Sequence, residues 1–314
     1  MRLRKITALL LAGVIAVSAV GCGGSGDDKN AGKEQNNKTE ATSEPIKIAT
    51  KPMTEQFILG EMLKQLIEAK TDYTVEVTKG IGGGTSNIQP AMEKGEFDLY
   101  PEYTSSGWIL VLGHKAGEVS DEEMLAKLQE EYEEKFGMTW IGLYGQNNTY
   151  AVVVRKDTAE KYNLETCSDL AKVSDQLIFG GNPDYIERAD GLPGMSKAYG
   201  FEFKDIKDVD IGLKYQALRN GDIDVTNGYT TDAQISQDDV KALKDDKKYQ
   251  INYYCSTVVR EEALKKYPEL RGTLELMNGI LTDEKMAKLN YQVEEEGRNE
   301  ADVAADFLKE VGLL

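Results

Sequence analysis

Histidine and cysteine are almost absent from this chain of 314 residues, and their scarcity excludes several classes of site. His114 is the only histidine, and it has no cysteine near it in sequence. A zinc centre needs clustered Cys or His ligands, and a hydrolytic triad needs a His base. No nucleophile elbow of the G-x-S-x-G type is present either. We therefore predict no metal site, no cofactor and no enzymatic activity.

The cysteines themselves are few and widely spaced. Cys167 and Cys255 lie far apart and form no C-x-x-C motif, and a third cysteine, Cys22, lies near the amino terminus. Cys167 and Cys255 could pair in an oxidising compartment, but we expect two isolated buried thiols.

Excess positive charge is also lacking. The formal net charge is −17, and no basic patch interrupts the acidic background. Such a chain does not bind nucleic acid or an anionic membrane surface through bulk electrostatics. An acidic composition can equally serve solubility, so it does not indicate which ligand the protein binds.

The amino terminus carries the one long apolar run. Arg2, Arg4 and Lys5 precede the apolar residues 6–20, a pattern typical of a signal peptide. The run ends in Ala19-Val20-Gly21-Cys22, which resembles a bacterial lipobox. We predict a signal peptide over residues 1–21, lipid attachment at Cys22 and a flexible tether over residues 22–44, which are rich in polar residues and lack aromatics. The protein is then anchored on the extracytoplasmic face of the cell membrane. Ordinary secretion with cleavage near Ala19 is the alternative.

Strand and helix patterns alternate from residue 45 onward. Strands are predicted at residues 46–49, 73–78, 97–100 and 138–143, with helices between them, which indicates an α/β fold with a mostly parallel sheet. A second set of strands and helices begins at Tyr150, and four closing helices follow residue 260. We expect a two-lobed fold whose lobes are joined by two crossing strands. Lobe 1 would comprise residues 45–147 and 255–314, lobe 2 residues 148–254, and the closing helices would pack on lobe 1.

Residues 98–108, D-L-Y-P-E-Y-T-S-S-G-W, form the most informative stretch for function. Pro101 is predicted to end the preceding strand, since proline has no N–H for a ladder. The stretch holds two tyrosines, a glutamate, three hydroxyl residues and a tryptophan, and the residues after Pro101 are expected to form a loop at the carboxyl end of a strand, where α/β proteins bind ligands. Aromatic faces with neutral hydroxyls suit an organic cation. A tyrosine-rich turn that only packs on its neighbours is an equal alternative.

The glycine-rich stretch G-I-G-G-G-T-S-N at residues 80–87 resembles a phosphate loop only superficially. Thr85 stands where the third glycine of G-x-G-x-x-G is needed, and no G-K-[ST] ending is present. We expect a tight turn, with an anion at the following helix N-terminus as the alternative.

Tyrosines recur at the predicted edges of both lobes. Sixteen tyrosines stand against seven phenylalanines, and Tyr103, Tyr150, Tyr229 and Tyr253 each lie at a predicted strand end or crossing. Four tyrosines that face one hinge favour an aromatic binding site.

Five motifs in the same order resemble the glycine betaine/carnitine/choline substrate-binding proteins of ABC importers. The motifs are K-P-M-T-E-Q-F-I-L-G-E-M at 51–62, G-T-S-N-I with P-A-M-E-K-G-E-F-D-L-Y-P-E-Y-T at 84–104, N-N-T-Y-A at 147–151, Y-I-E-R-A-D-G-L-P-G at 185–194 and Y-T-T-D at 229–232. The resemblance covers residues 46–314. It implies a type II periplasmic-binding-protein fold, a quaternary amine ligand and an ABC permease as partner, and we expect a monomer.

The resemblance also implies which residues bind. Tyr103, Tyr150, Tyr229 and Tyr253 would form an aromatic cage around the ammonium head, and Gln56 and Ser106 would hydrogen-bond the other end of the ligand. This chain has Tyr253-Tyr254 where the family often has Tyr-Asn, and only one of two adjacent residues in an extended strand points into a cleft. We expect that residue to be Tyr253.

One alternative keeps the fold and changes the ligand. An amino-acid or small-peptide binding protein needs an acid for a primary ammonium and usually an arginine for a carboxylate. The charged residues available for those roles are Glu102, Asp232, Arg155 and Arg188.

Overall fold

The computed structural model describes residues 44–187, 191–210 and 212–314. The predicted signal peptide, the lipid site at Cys22, all of the tether except Glu44, and Arg188 lie outside these residues. No helix in the described part is long and apolar enough to cross a membrane.

Ten strands and thirteen α-helices make up the described chain. The strands are β1 (Ile46–Ala49), β2 (Val75–Thr78), β3 (Leu99–Tyr103), β4 (Met138–Ile141), β5 (Tyr150–Arg155), β6 (Ile178–Gly181), β7 (Asp205–Asp208), β8 (Val225–Tyr229), β9 (Val240–Leu243) and β10 (Cys255–Arg260). The helices are α1 (Thr54–Lys70), α2 (Thr85–Glu93), α3 (Thr104–Ser106), α4 (Asp121–Phe136), α5 (Lys156–Tyr162), α6 (Cys167–Ala171), α7 (Pro183–Glu187), α8 (Leu192–Tyr199), α9 (Lys214–Asn220), α10 (Glu261–Lys266), α11 (Leu270–Glu275), α12 (Asp283–Glu294) and α13 (Glu300–Glu310). A π-helical turn, Gly107–Val111, follows α3 directly.

The strands form two five-stranded sheets with the same topology. The first has the order β2-β1-β3-β10-β4 and the second the order β7-β6-β8-β5-β9. In each sheet the first three strands pair in parallel, and the fourth, β10 or β5, runs antiparallel to both neighbours. The antiparallel strand is in each case the one that follows a crossing between the lobes.

The crossing segments are mostly loop rather than strand. Residues 142–149 lead into β5 and residues 244–254 lead into β10, and an isolated antiparallel bridge joins Asn147 to Tyr254. All strands of the first sheet fall within residues 46–141 and 255–260, and all strands of the second within residues 150–243.

The expectation that Pro101 ends its strand is wrong. Strand β3 continues to Tyr103, and Pro101 lies inside it opposite Thr257 of β10. On its other side β3 pairs with β1 through Ile48 and Leu99, two residues before the proline. Beyond Leu99 that side of β3 behaves as a sheet edge, where a missing N–H breaks no ladder bond. The hydroxyl residues that follow then form α3 rather than a loop.

Both faces of the first sheet are covered, which is why its central strand β3 is buried along its whole length. Leu99 packs in one cluster with α1 and the closing helices, whereas the adjacent Tyr100 packs in another with Trp108 and Tyr132. The closing helices therefore pack against α1 and the first sheet. Helix α12 also contacts the 3₁₀ turn Ala233–Ser236 of the second lobe.

Cys167 and Cys255 are both buried and unpaired, which confirms the expectation of isolated thiols. The glycine-rich stretch is a tight turn, with Gly80, Gly83 and Gly84 at positive φ.

Candidate ligand-binding site

A cavity of about 280 Å³ opens between the two lobes beside the crossings. The residues that line it come from the loop before α1, the end of β3, α3, both crossings, and strands β5 and β8. They are Lys51, Met53, Tyr103, Ser106, Asn148, Tyr150, Tyr229 and Tyr253. Five of the six ligand-binding residues expected from the sequence are thus brought together.

The second lobe contributes one aromatic wall. Tyr150 begins β5 and Tyr229 ends β8, and the two residues are paired across these antiparallel strands. Their rings stack with centroids 5.0 Å apart. Tyr185 of α7 supports the wall from behind, with its ring centroid 5.1 Å from that of Tyr150. The wall is therefore fixed by strand register and by packing.

Tyr103 is the contribution of the first lobe, and it is buried to 5 % exposure. Its hydroxyl donates to Glu55 Oε1 at 2.6 Å. Burial raises the pKa of Tyr103 well above its ordinary value, and the nearby Glu55 carboxyl adds to the shift. Tyr103 is consequently a neutral phenol whose ring edge is anchored and whose orientation is fixed.

Tyr253 and Tyr254 point to opposite sides of the second crossing. Tyr253 lines the cavity of about 280 Å³ described above, which we call the tyrosine cavity. Tyr254 and Asn252 line a separate, larger cavity of about 710 Å³. The backbone N–H of Tyr253 donates to Asn147 Oδ1 at 2.6 Å, which ties the two crossings together. Period-2 alternation of an extended chain explains why only one of the pair reaches the tyrosine cavity.

A buried ion pair lies at one end of the cavity. Lys51 pairs with Glu102, which is fully buried. Glu102 also accepts a hydrogen bond from the Thr85 hydroxyl at 2.7 Å and one from the Tyr103 backbone N–H at 2.6 Å. The Lys51 Nζ lies 4.6 Å from the centre of the Tyr103 ring. Lys51 thus brings a positive charge to the cavity wall, held by a carboxylate behind it.

Ser106 and Gln56 are placed differently. Ser106 ends α3 and lines the cavity. Gln56 is fully buried and is not among the lining residues; its Oε1 accepts from the Lys51 backbone N–H at 3.4 Å. The structure therefore puts Gln56 in the layer behind the cavity wall.

Sequence reasoning did not single out Lys51, Met53, Glu55 or Asn148. Lys51, Met53 and Glu55 lie within the motif at 51–62, and Asn148 lies within the motif at 147–151. Their place inside these motifs is the signal that could have identified them. Which of them faces the cavity depends on how the chain turns into α1 and β5.

Of the charged residues considered for an amino-acid ligand, Asp232 and Arg155 are engaged elsewhere, and Glu102 is paired with Lys51. Asp232 accepts from Tyr215 Oη at 2.7 Å and from Lys214 Nζ at 3.3 Å. Arg155 donates to Asp224 at 2.9 Å and to the carbonyl of Ile223 at 2.6 Å. Among the described residues, none that lines the tyrosine cavity carries a carboxylate.

Two α/β lobes, two crossings and an aromatic cavity between the lobes define a type II substrate-binding protein. Residues 44–310 match the OpuAC family, described as the substrate binding domain of ABC-type glycine betaine transport systems, and the chain belongs to this family.

Relatives and solved structures agree with that assignment. The carnitine transport binding protein OpuCC of Listeria monocytogenes (serotype 1/2a, strain 10403S) is 40 % identical over 272 residues, which cover 86 % of this chain and 87 % of that protein. A crystal structure described as a glycine betaine/carnitine/choline ABC transporter superposes with a TM-score of 0.80 at 35 % identity, over 85 % of this chain and 99 % of the other.

The ergothioneine transport permease/ergothioneine binding protein EgtU of Helicobacter pylori (strain G27) is 44 % identical over 269 residues. These residues cover 86 % of this chain and 48 % of EgtU, so the chain spans about half the length of that relative.

Proposed function

We propose that this protein captures a quaternary ammonium compound of the glycine betaine, carnitine or choline type in its tyrosine cage and delivers it to an ABC permease. The observation that carries the proposal is the convergence of Tyr103, Tyr150, Tyr229 and Tyr253 on one cavity. The protein acts by binding and release, without catalysis.

The chemistry of the cavity fits such a ligand. A quaternary ammonium has no hydrogen to donate, so aromatic faces and shape must select it. Each desolvated cation–π contact contributes roughly 1–2 kcal/mol, so four contribute about 4–8 kcal/mol. Micromolar affinity needs about 8 kcal/mol. Burial of the methyl groups and contacts to the other end of the ligand must supply the rest.

Polar groups on the cavity wall suit the other end of a zwitterion. Lys51 offers a positive charge, and Ser106 and Asn148 offer neutral donors. A ligand carboxylate would therefore meet donors and an ammonium group. This arrangement favours betaine-like and carnitine-like ligands over choline, which has no carboxylate.

Capture requires the two lobes to close around the ligand. Tyr150 and Tyr229 belong to strands of the second sheet and Tyr103 to a strand of the first, so full enclosure of a ligand depends on their approach. Hinge closure at the crossings would signal occupancy to the permease.

Isothermal titration calorimetry with glycine betaine, carnitine and choline tests the proposal, with glycine and proline as controls. Micromolar or tighter binding of any quaternary amine, without binding of the controls, is the expected result. If none of the three amines binds, the proposal that these tyrosines form a cage for a quaternary ammonium group is overturned. Ergothioneine, which also carries a trimethylammonium group, belongs in the series because of the 44 % identity to EgtU.

Lipid attachment at Cys22 would hold the protein at the outer face of the membrane, near its permease. Replacement of Cys22 by Ser should release the protein from the membrane fraction and abolish incorporation of labelled palmitate. Retention of both in the variant would contradict lipidation.

A further inference from the structure

Glu55 lies directly behind the tyrosine cavity, where four parts of the fold meet. It is the second residue of α1 and is 3 % exposed. Its Oε1 accepts from Tyr103 Oη at 2.6 Å and from Asn148 Nδ2 at 3.2 Å. The side chains of Thr231 and Asn290 also lie near the carboxyl group. These contacts join the first lobe, a crossing, the second lobe and α12.

The surroundings of Glu55 are unusual for a carboxylate. Among residues 44–187, 191–210 and 212–314, Glu55 forms no ion pair, and its hydrogen-bond partners are neutral groups. Burial raises the pKa of Glu55 above its ordinary value, and the hydrogen bonds only partly oppose that shift. An unpaired buried carboxylate is costly, so the group tends to take up a proton.

Two buried acceptor atoms in the same cluster have no hydrogen-bond donor. They are Glu55 Oε2 and Asn290 Oδ1. The amide nitrogen of Asn290 is already committed, since it donates to the Thr231 carbonyl at 2.8 Å. A proton on Glu55 Oε2 would turn one of these acceptors into a donor, which removes part of the cost of burial.

We propose that Glu55 is protonated in the empty protein and loses its proton when a cation binds against Tyr103, so that it serves as the buried counter-charge and positioning residue of the tyrosine cage. The inference rests on the proposed function. On binding, the Glu55 O–H bond breaks and the proton passes to solvent. The Glu55 carboxylate still accepts the hydrogen bond from the Tyr103 hydroxyl. Its negative charge makes the face of the Tyr103 ring more negative, and this strengthens the attraction between that ring and the bound cation.

The other titratable groups near Glu55 are not expected to change their protonation when a ligand binds. Burial raises the pKa values of Tyr103 and Cys255 well above their ordinary values, so both stay neutral. Lys51 is paired with Glu102. Glu294, one turn from Asn290 on α12, also has a pKa that desolvation raises, but its side chain is exposed and lies near Thr54. Glu294 therefore provides a control for a nearby glutamate that is not buried.

The direction of the pH dependence follows from these pKa values. A nearby cation lowers the pKa of Glu55, so binding releases a proton at pH values between the lowered and the raised pKa. Affinity should rise with pH across that window, by up to tenfold per pH unit, and level off above it. A cage without a titrating group would bind with constant affinity.

Calorimetry of the purified protein with glycine betaine tests this, from about pH 5 to about pH 8 and in two buffers of different ionisation enthalpy. The wild-type protein should release up to one proton per ligand bound. Glu55→Gln should release none and show flat affinity, at least about tenfold weaker than wild type at the upper pH. Glu294→Gln should keep the wild-type release and pH profile.

The outcomes separate the two proposals. If the wild-type protein binds without proton release, or if Glu55→Gln still releases a proton, the role of Glu55 is overturned while the proposed function stands. If the wild-type protein binds no quaternary amine, the proposed function fails, and this inference fails with it. The wild-type measurement needs no variant, so it decides the question even if Glu55→Gln does not fold.

Discussion

The rings of Tyr150 and Tyr229 stack 5.0 Å apart because the two residues are paired directly across strands β5 and β8. Rings at that separation are in contact with each other, so a cation cannot lie between them. We therefore expect a ligand to lie against the side of this pair that faces Tyr103 and Tyr253. The two tyrosines of the second lobe therefore act as one surface.

Truncation of either member should weaken the whole wall. Tyr229→Ala removes one cation–π contact and the stacking partner of Tyr150, and we expect glycine betaine to bind about 5- to 30-fold more weakly by calorimetry. Tyr229→Phe keeps the ring and should stay within about threefold of wild type. Equal losses in both variants would mean that the hydroxyl, and not the ring face, carries the interaction.

The two adjacent tyrosines of the second crossing, Tyr253 and Tyr254, should differ in their effect on ligand affinity. Tyr253 lines the tyrosine cavity and Tyr254 lines the larger one. Tyr253→Ala should weaken quaternary amine binding roughly 5- to 30-fold, because one aromatic face is lost, whereas Tyr254→Ala should leave it within about threefold. Calorimetry on both variants, with thermal unfolding as a check on folding, decides the matter. A larger effect at Tyr254 would show that the ligand enters from the other side of the crossing.

Much of the fold could be predicted from local patterns. The apolar spacing of α1 and the strand composition of residues 46–49 each point to one type of element, and these elements form as expected. Strands β7 and β9 could not be predicted from local patterns. β7 reads D-I-K-D and is exposed throughout, so its sequence carries no burial pattern, and its strand is formed by pairing with β6.

Only those site residues could be predicted whose type is characteristic of the expected ligand or of the family. Tyrosines at strand ends drew attention to the right positions, and Ser106 followed from the resemblance. Glu55, by contrast, is a charged residue in the first turn of a helix, where sequence predicts a solvent-exposed group that favours the helix dipole. Its burial arises because α12 and the first crossing pack over it, a long-range effect that no local pattern records.

The buried ion pair between Lys51 and Glu102 should be sensitive to loss of one partner. Lys51→Met leaves Glu102 fully buried without its cation, and we expect about 3–5 kcal/mol of destabilisation in urea unfolding. The double variant Lys51→Met with Glu102→Gln removes both charges and should recover much of that loss. If the double variant is as unstable as the single one, packing of the lysine side chain, rather than charge, is what holds this end of the cavity.

Ser106 offers a way to separate ligands by their far ends. It lines the cavity together with Lys51, so a negative charge at this position would face a ligand carboxylate. Ser106→Asp should weaken glycine betaine binding by at least about tenfold, because two like charges repel within a partly desolvated cavity, and it should spare choline. Ser106→Asn has a similar size without the charge and should bind both ligands much as wild type does. Calorimetry with both ligands on both variants gives the comparison. Equal weakening of betaine and choline by Ser106→Asp would indicate a general disturbance of α3, and unchanged betaine affinity would remove Ser106 from the site.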